Sequence, residues 1–264
     1  LKNGNTNWLK VPLQKPFRHK HQLEIEGGDS SILYRAYFLA TPGNKGVMKG
    51  SKRDHYAIGT RLDYRNSKLY VSDELRIDVI YGKESPYGVF QDYMLINPYY
   101  RKGSGGQHSA SVMGEGTFSE QVSPYYEASL SSFSKSRATR VMNTLNMTWQ
   151  IMEHLELSGN FTFTKDFNKF DQYISFKSEY FSDLPLDSAE LAGQYKIRRE
   201  NTTIYEEDLV LNYSNQFERH NLNVSLGIHG YAAKDYSDNY IGVGLPSDHM
   251  DYISFAKTYA FNTR

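Results

Sequence analysis

Three groups of side chains have the types and spacing to do chemistry. Glu206, Glu207 and Asp208 place three carboxylates in a row, the raw material of a glycosidase acid pair. Adjacent residues of a strand point to opposite faces, so only Glu206 and Asp208 act together. No partner acid can be placed near them, and they read as lining a wet surface or pairing with arginine. His19 and His21 share a face and suit a metal in principle, but Arg18 and Lys20 between and beside them read instead as a basic interfacial turn. The third group is the aromatic-rich stretch Phe90, Asp92 and Tyr93 followed by Asn97, Tyr99 and Tyr100. Aromatic faces stack on sugar rings, and carboxylates and amides bond their hydroxyls. These six are the candidate ligand or partner contacts. The competing reading is that they pack their loop against the rest of the fold.

No GxSxG, HExxH or Walker loop occurs, and the chain is expected to be no enzyme and to need no cofactor. It has no cysteine, which removes disulfides and thiolate metal sites. Thirty basic residues balance thirty acidic ones, without the basic excess of a nucleic-acid binder. Aromatics reach 14%, with 22 Tyr against 2 Trp, which suits membrane-interface girdles or sugar-binding surfaces. No apolar run approaches the roughly 18 residues a membrane helix needs.

The elements that carry these groups alternate with period two. Leu23 and Ile25 lie opposite Gln22, Glu24 and Glu26. Tyr34, Ala36, Phe38 and Ala40 oppose Arg35, while Tyr56, Ile58, Leu62 and Tyr64 oppose Arg61, Asp63 and Arg65. Leu75, Ile77, Val79 and Tyr81 form a fourth apolar row, and Val141, Leu145, Met147, Trp149 and Ile151 a fifth. Three more follow: Leu155 to Phe163, Tyr205 to Tyr213 and Leu222 to Ile228. About eight strands result, many longer than the usual globular strand of about 5–6 residues. Four Asn-x-Ser/Thr sequons, at Asn146, Asn160, Asn212 and Asn223, fall on polar rows and follow from the alternation. Asn201 begins a fifth.

Connection lengths alternate as well. Short turns stand at Gly27–Ser30, Asn66-Ser67, Glu153-His154 and Glu218-Arg219. Long connections run over roughly 41–54, 82–136, 165–202 and from 232 onward. Tight turns on one side and long loops on the other mark a meander through a bilayer. The fold expected is all-β: antiparallel, up-and-down strands forming part of a transmembrane β-barrel with long extracellular loops. A secreted β-sandwich that binds or cleaves polysaccharide is the alternative, with the same apolar rows meeting in a dry core. Asp73 and Glu207 fall on apolar rows. Glu207 is expected near the outer rim above the lipid, and Asp73 near mid-strand, requiring a bulge or shifted register. Lys102–Gly106 reads as flexible. Met250, Ile253, Ala256 and Tyr259, with Ser247 as N-cap, predict a short helix over 248–260.

Several stretches resemble SusC/RagA-type TonB-dependent transporters of Bacteroidetes. Asn5-Thr6-Asn7-Trp8, His21-Gln22-Leu23 and Gly27-Gly28 look like that family's "NTDW … HNLSVSGG", and Gly46–Gly50 its "GVMKG". Ser85-Pro86-Tyr87-Gly88, Asp92-Tyr93 and Asn97-Pro98-Tyr99 are similar to "SPYG…DY…NPY", and Ser132–Ser136 to "NSFNKS". Leu245–Met250 with Ile253–Ala256 resembles "PSDRM…ISFA". The resemblance implies that residues 1–264 are an internal fragment of an outer-membrane barrel. Its signal peptide, plug, TonB-contacting segment and remaining strands would lie elsewhere, in keeping with an opening at Leu1 rather than a start methionine. It also implies a SusD-like surface lipoprotein as partner, the TonB complex reached through other parts of the chain, and a glycan or peptide as cargo, with oligosaccharide the expected class.

Overall fold

The structure is a computed structural model. It describes residues 5–96, 98–99, 108–112 and 118–261, with the side chains of 108–112, 118–122 and 261 left aside. The expected tract Lys102–Gly106 lies outside the described residues, as do the candidate contacts Asn97 and Tyr100.

The chain is all-β. Nine antiparallel strands form one open sheet. In chain order they are β1 (His21–Gly28), β2 (Ile32–Thr41), β3 (Lys52–Arg65), β4 (Leu69–Lys83), β7 (Phe133–Met152), β8 (Leu155–Ile174), β9 (Gln194–Phe217), β10 (His220–Val243) and β11 (Thr258–Phe261). Each pairs with its chain neighbour, up and down across the sheet. A separate hairpin, β5 (His108–Val112) with β6 (Phe118–Val122), lies within the longest connection. Two short helices flank it, α1 (Phe90–Leu95) and α2 (Pro124–Glu127). Among the described residues no helix is long and apolar enough to cross a membrane, which says nothing about strands.

The short turns close by local chemistry. Asp29 accepts backbone hydrogen bonds from Ser31 (2.7 Å) and Ile32 (2.9 Å). Asn66 accepts from Lys68 and Leu69, both at 2.8 Å. These are Asx turns, in which a short polar side chain replaces a backbone partner. The turn between β7 and β8 carries a register shift at Gln150/Met152.

The register confirms the two faces. Directly opposed residues of an antiparallel pair lie on one face. One rung runs Ile25, Ala36, Thr60, Leu75, Asn143, Phe163, Tyr205 and Ala232; a neighbour runs Ile32, Tyr64, Val71, Met147, Gly159, Leu209 and Ile228. Among the described residues no second sheet covers this face: Leu23 is 60% exposed, Leu226 67% and Ile228 66%. Two buried clusters form at the long-loop end: Trp8, Val11, Tyr93 and Ile96 among the connections, and Tyr173, Tyr195 and Ile197 at the ends of β8 and β9 with Leu245.

Four expectations change. The strands are longer than the alternation implied: β7 and β8 have 20 residues, β9 and β10 have 24. Beyond Lys165, Thr203 and Lys234 both faces turn polar, so the pattern fades while the backbone ladder continues. No helix forms over 248–260. A single 3₁₀ turn at Ile253–Phe255 is followed by β11, which pairs with Tyr240–Val243. Ser247 does brace a turn, its hydroxyl accepting from the His249 N–H at 3.3 Å, but the ladder offered by the end of β10 displaces helical bonding. No bulge occurs at Asp73: Leu62, Asp73 and Leu145 oppose one another in unbroken register. Asp73 lies near the short-turn end of β4 rather than mid-strand, and Asn143 donates to it at 2.9 Å.

Candidate functional site

The face opposite the apolar rows is a continuous polar wall. Arg76 grips Asp78 with two hydrogen bonds, 2.6 and 3.0 Å, and His55 Nε2 lies 2.7 Å from the same carboxylate. Arg140 holds Asp166 in the same two-pronged manner, at 2.7 and 2.9 Å. Arg61 and the Tyr70 hydroxyl converge on Asp63. Forked arginine–carboxylate contacts are strong and directional, and they fix the wall's side chains against a wet space. Further along, small polar residues form ladders: Asn160 donates to Asn146 at 2.7 Å, and Ser225 to Asn212 at 2.7 Å. These sequon asparagines are thus engaged in the wall.

Two shallow depressions open on this wall. One is lined by His55, Arg76, Asp78, Arg140, Asp166 and Asn168. The other lies nearer the long-loop end, with Phe170, Lys196, Arg198 and Glu200. Cations and carboxylates alternate in the first, which suits an uncharged polar or zwitterionic solute better than a strongly charged one; in the second, Arg137, Lys169, Lys196 and Arg198 outnumber the single carboxylate of Glu200. None of these residues was singled out from sequence as a site. Their visible signals are that Arg76, Arg140 and Arg198 occupy polar rows and that Arg76 and Arg198 each stand two residues before the acid they pair with.

Glu206 and Asp208 lie on this wall. Asp208 meets His229 at 2.7 Å rather than an arginine. Glu207 is on the opposite face, its side chain lying across Gly230, where an added Cβ would come within 2.6 Å of it. The rings of His19 and His21 meet edge to face at 5.0 Å. Among the described residues no group of three His, Cys, Asp or Glu could hold a metal.

At the long-loop end the connections are fastened into a rim. Gln14 donates to the Gly46 and Met48 carbonyls at 3.0 and 2.9 Å. Ser85 donates to the Lys49 carbonyl at 2.7 Å. Glu127 accepts from Ser178 at 2.8 Å and from the Glu179 N–H at 2.9 Å. Asp248 accepts from Ser175 at 2.6 Å and Tyr173 at 3.1 Å. Desolvation opposes its charge, but the Ser175, Ser131 and Tyr173 hydroxyls and Lys177 hold its carboxyl below the usual range. Gly193 and Gly244 adopt φ of 87° and 77°, and the Gly244 N–H bonds the Gly193 carbonyl at 2.9 Å. A side chain at Gly193 would strike the Leu245 backbone.

Tyr93, one of the sequence candidates, is an anchor of this rim. It is 1% exposed, packs with Trp8, Val11 and Ile96, and donates its hydroxyl to the Pro124 carbonyl at 3.2 Å. Burial pushes its phenol pKa upward. Phe90 is half-buried, and Asp92 and Tyr99 are exposed. The structure therefore brings Phe90, Asp92 and Tyr93 onto one turn of α1, with Tyr99 beyond it.

An open up-and-down sheet with one oily and one hydrogen-bonded polar face is the wall of a β-barrel. A scan against protein-family models and a search of curated proteins return no match. Among solved structures the chain is similar to the RagAB peptide transporter, with a TM-score of 0.74 at 16% identity. It is also similar to the RagAB peptide importer in its closed-closed state (0.73, 15%) and its open-open state (0.68, 14%). The likeness covers 97%, 97% and 98% of this chain, in that order, and 29% of each of those chains. At these identities it establishes the fold. The chain spans less than a third of the length of these structural relatives.

Proposed function

We propose that this chain is part of the wall of an outer-membrane transporter barrel that takes up an oligomeric nutrient. In this reading the apolar rows face lipid and the polar wall faces a water-filled lumen. The chain does no chemistry on its cargo. A gate and an energy-coupling segment, driven by TonB, belong to other parts of the protein, and a SusD-like surface lipoprotein caps the rim.

The observation that carries the reading is the uncovered oily face. Exposed apolar rows of this extent on eight strands need lipid or another protein surface. A rough height supports lipid. On β8 about ten residues separate Leu155 from Lys165. At about 3.4 Å per residue and a tilt of about 40° they rise about 26 Å, close to the apolar band of about 25 Å on such barrels. A soluble sandwich would bury these rows against a second sheet.

Cargo is either oligosaccharide or peptide. Aromatic and hydroxyl-bonding groups at the rim favour the former. The latter is supported by the structural neighbours being peptide importers and by the alternating charges of the wall. Fractionation of cells expressing the intact protein tests the location, which should be the outer membrane. Uptake of labelled oligosaccharides and peptides by those cells tests the cargo. A protein recovered monodisperse in buffer without detergent would refute the reading.

A further inference from the structure

On the polar wall, cations meet carboxylates. Above the apolar band on the other face, they meet one another. Lys52 opposes Lys83, which opposes Lys135. Two residues further toward the middle of β7, Arg137 opposes Lys169, which opposes Arg199. Directly opposed like charges destabilise a sheet, and here two such rows lie side by side at the long-loop end.

The carboxylates on this face neutralise Lys52 and Lys169 but not the other four cations of the rows. Asp54 is taken by Lys52 at 2.7 Å and by the Gly43 N–H at 2.7 Å. Asp171 stands opposite Lys135 and is taken by Lys169 at 2.8 Å. Asp238 stands opposite Arg199 but bonds the Tyr236 hydroxyl. Lys83, Lys135, Arg137 and Arg199 form no ion pair among the described residues. Lys135 lies over the Phe133 ring at 4.1 Å and Arg137 over Tyr81 at 5.5 Å, which holds the side chains on this face. A shallow groove runs between Lys52, Lys83, Lys135 and Arg137, with Asp54 and Asp171 also in its lining.

The surroundings define what could fill it. Tyr81 stands beside Arg137 in the second row, and below it lie Tyr56, edge to face with Tyr81 at 6.4 Å, and Phe167. Aromatic rings of this kind mark the border of a bilayer's oily core. Above, Phe133, Tyr173 and Tyr195 pack beneath Leu245 and carry the connection 244–257 over this same face. An anion seated here has oil on one side and a protein overhang on the other.

We propose that this band binds the phosphorylated headgroup of an outer-leaflet lipid. The inference rests on the membrane reading above and adds a specific lipid site to it. Arginine and lysine in this density are matched by phosphate. The aromatic border places the groove at headgroup depth, where a lipid phosphate is present at high local concentration.

The test uses the intact protein purified from outer membranes in mild detergent. Wild type is compared with a variant carrying Lys83→Gln, Lys135→Gln, Arg137→Gln and Arg199→Gln, and with an inner-wall control, Arg140→Gln. Strand content by circular dichroism and recovery from the outer-membrane fraction are measured first. Loss of outer-membrane location in wild type would sink the membrane reading itself. With that location established, the probes are diphosphorylated lipid A, its dephosphorylated form and inorganic phosphate. Wild type and Arg140→Gln should retain the diphosphorylated lipid, and the four-site variant should bind it more weakly by at least about tenfold. Equal retention by the four-site variant would overturn the proposal. So would equal binding of the dephosphorylated lipid, or displacement by millimolar inorganic phosphate, which would make the site one for a soluble anion. Saturation of the groove by the surface lipoprotein in place of lipid would overturn it too.

Discussion

Asn143 donates its side-chain amide to Asp73 at 2.9 Å on the oily face of the sheet. This contact settles how a carboxylate is carried on a row of Val71, Leu75 and Ile77. The strands stay in register, and a residue from the next strand supplies the partner. A polar group out of water costs far more alone than bonded. Asn143→Leu should therefore cost about 1–3 kcal/mol, and Asp73→Leu much less. The double variant should recover most of the loss. Urea unfolding of the intact protein in lipid vesicles measures this cycle, and strictly additive effects would mean the two side chains do not depend on each other.

Sidedness predicts asymmetric tolerance. Leu75→Arg or Phe161→Arg places a cation on the oily face, at a cost of about 2–4 kcal/mol at the bilayer midplane, and should reduce outer-membrane assembly. Thr148 lies on the polar wall opposite Tyr70 and Ser158, and Thr148→Arg should assemble normally. Immunoblots of outer-membrane fractions decide; equal damage from all three would break the assignment of faces.

The rim should come loose in acid at one point. Asp248 has a folded-state pKa below its ordinary 3.8. Such a depressed carboxyl contributes stability that is complete above the ordinary value and is lost as pH falls through the folded value. Hydrogen exchange of amides 245–257, corrected for intrinsic rates, should thus lose protection below about pH 4. Asp248→Asn should show low protection already at neutral pH. Protection that is flat with pH in wild type would remove Asp248 as the fastener.

Tyr93 and its neighbours should separate structure from capture. Tyr93→Ala empties a packed site and should loosen the rim by about 3–5 kcal/mol, the usual cost of losing a buried aromatic, seen as faster proteolysis of residues 84–132. Asp92→Ala and Tyr99→Ala should leave proteolysis unchanged and weaken capture of cargo or lipoprotein. Wild-type capture by both would take this loop out of the binding surface.

The β-sheet was legible in the sequence because a surface between lipid and water forces strict alternation, as in Leu155, Leu157, Phe161 and Phe163. The turns were legible because Asp29 and Asn66 carry their own turn chemistry. Illegibility begins where one environment touches both faces. The upper halves of β9 and β10 mix Arg198, Arg199, Asn201 and Lys234 without period, so these strands read as loop. β11 was hidden because its four residues owe their form to the edge of β10 rather than to any pattern of their own. The rim was half legible: the stretches that resemble a known family, Gly46–Gly50, Ser85–Gly88 and Leu245–Met250, include the fasteners Lys49, Ser85 and Asp248. Arg61–Asp63, Arg76–Asp78 and Arg198–Glu200 pair two residues apart on one strand, a spacing visible in the sequence, whereas the pairing of Arg140 with Asp166 depends on cross-strand register, which no local pattern reveals.

The chain contains no cysteine, so single cysteines can be placed along β7 without background. A fluorophore at each position from 141 to 149 in the intact protein, reconstituted into vesicles, can be challenged with a lipid-borne quencher and a water-soluble one. Odd positions such as Leu145 and Met147 should respond to the lipid quencher, and even positions such as Thr144 and Asn146 to the aqueous one. Odd positions protected from both quenchers would place the oily rows against protein and contradict the membrane-facing sheet.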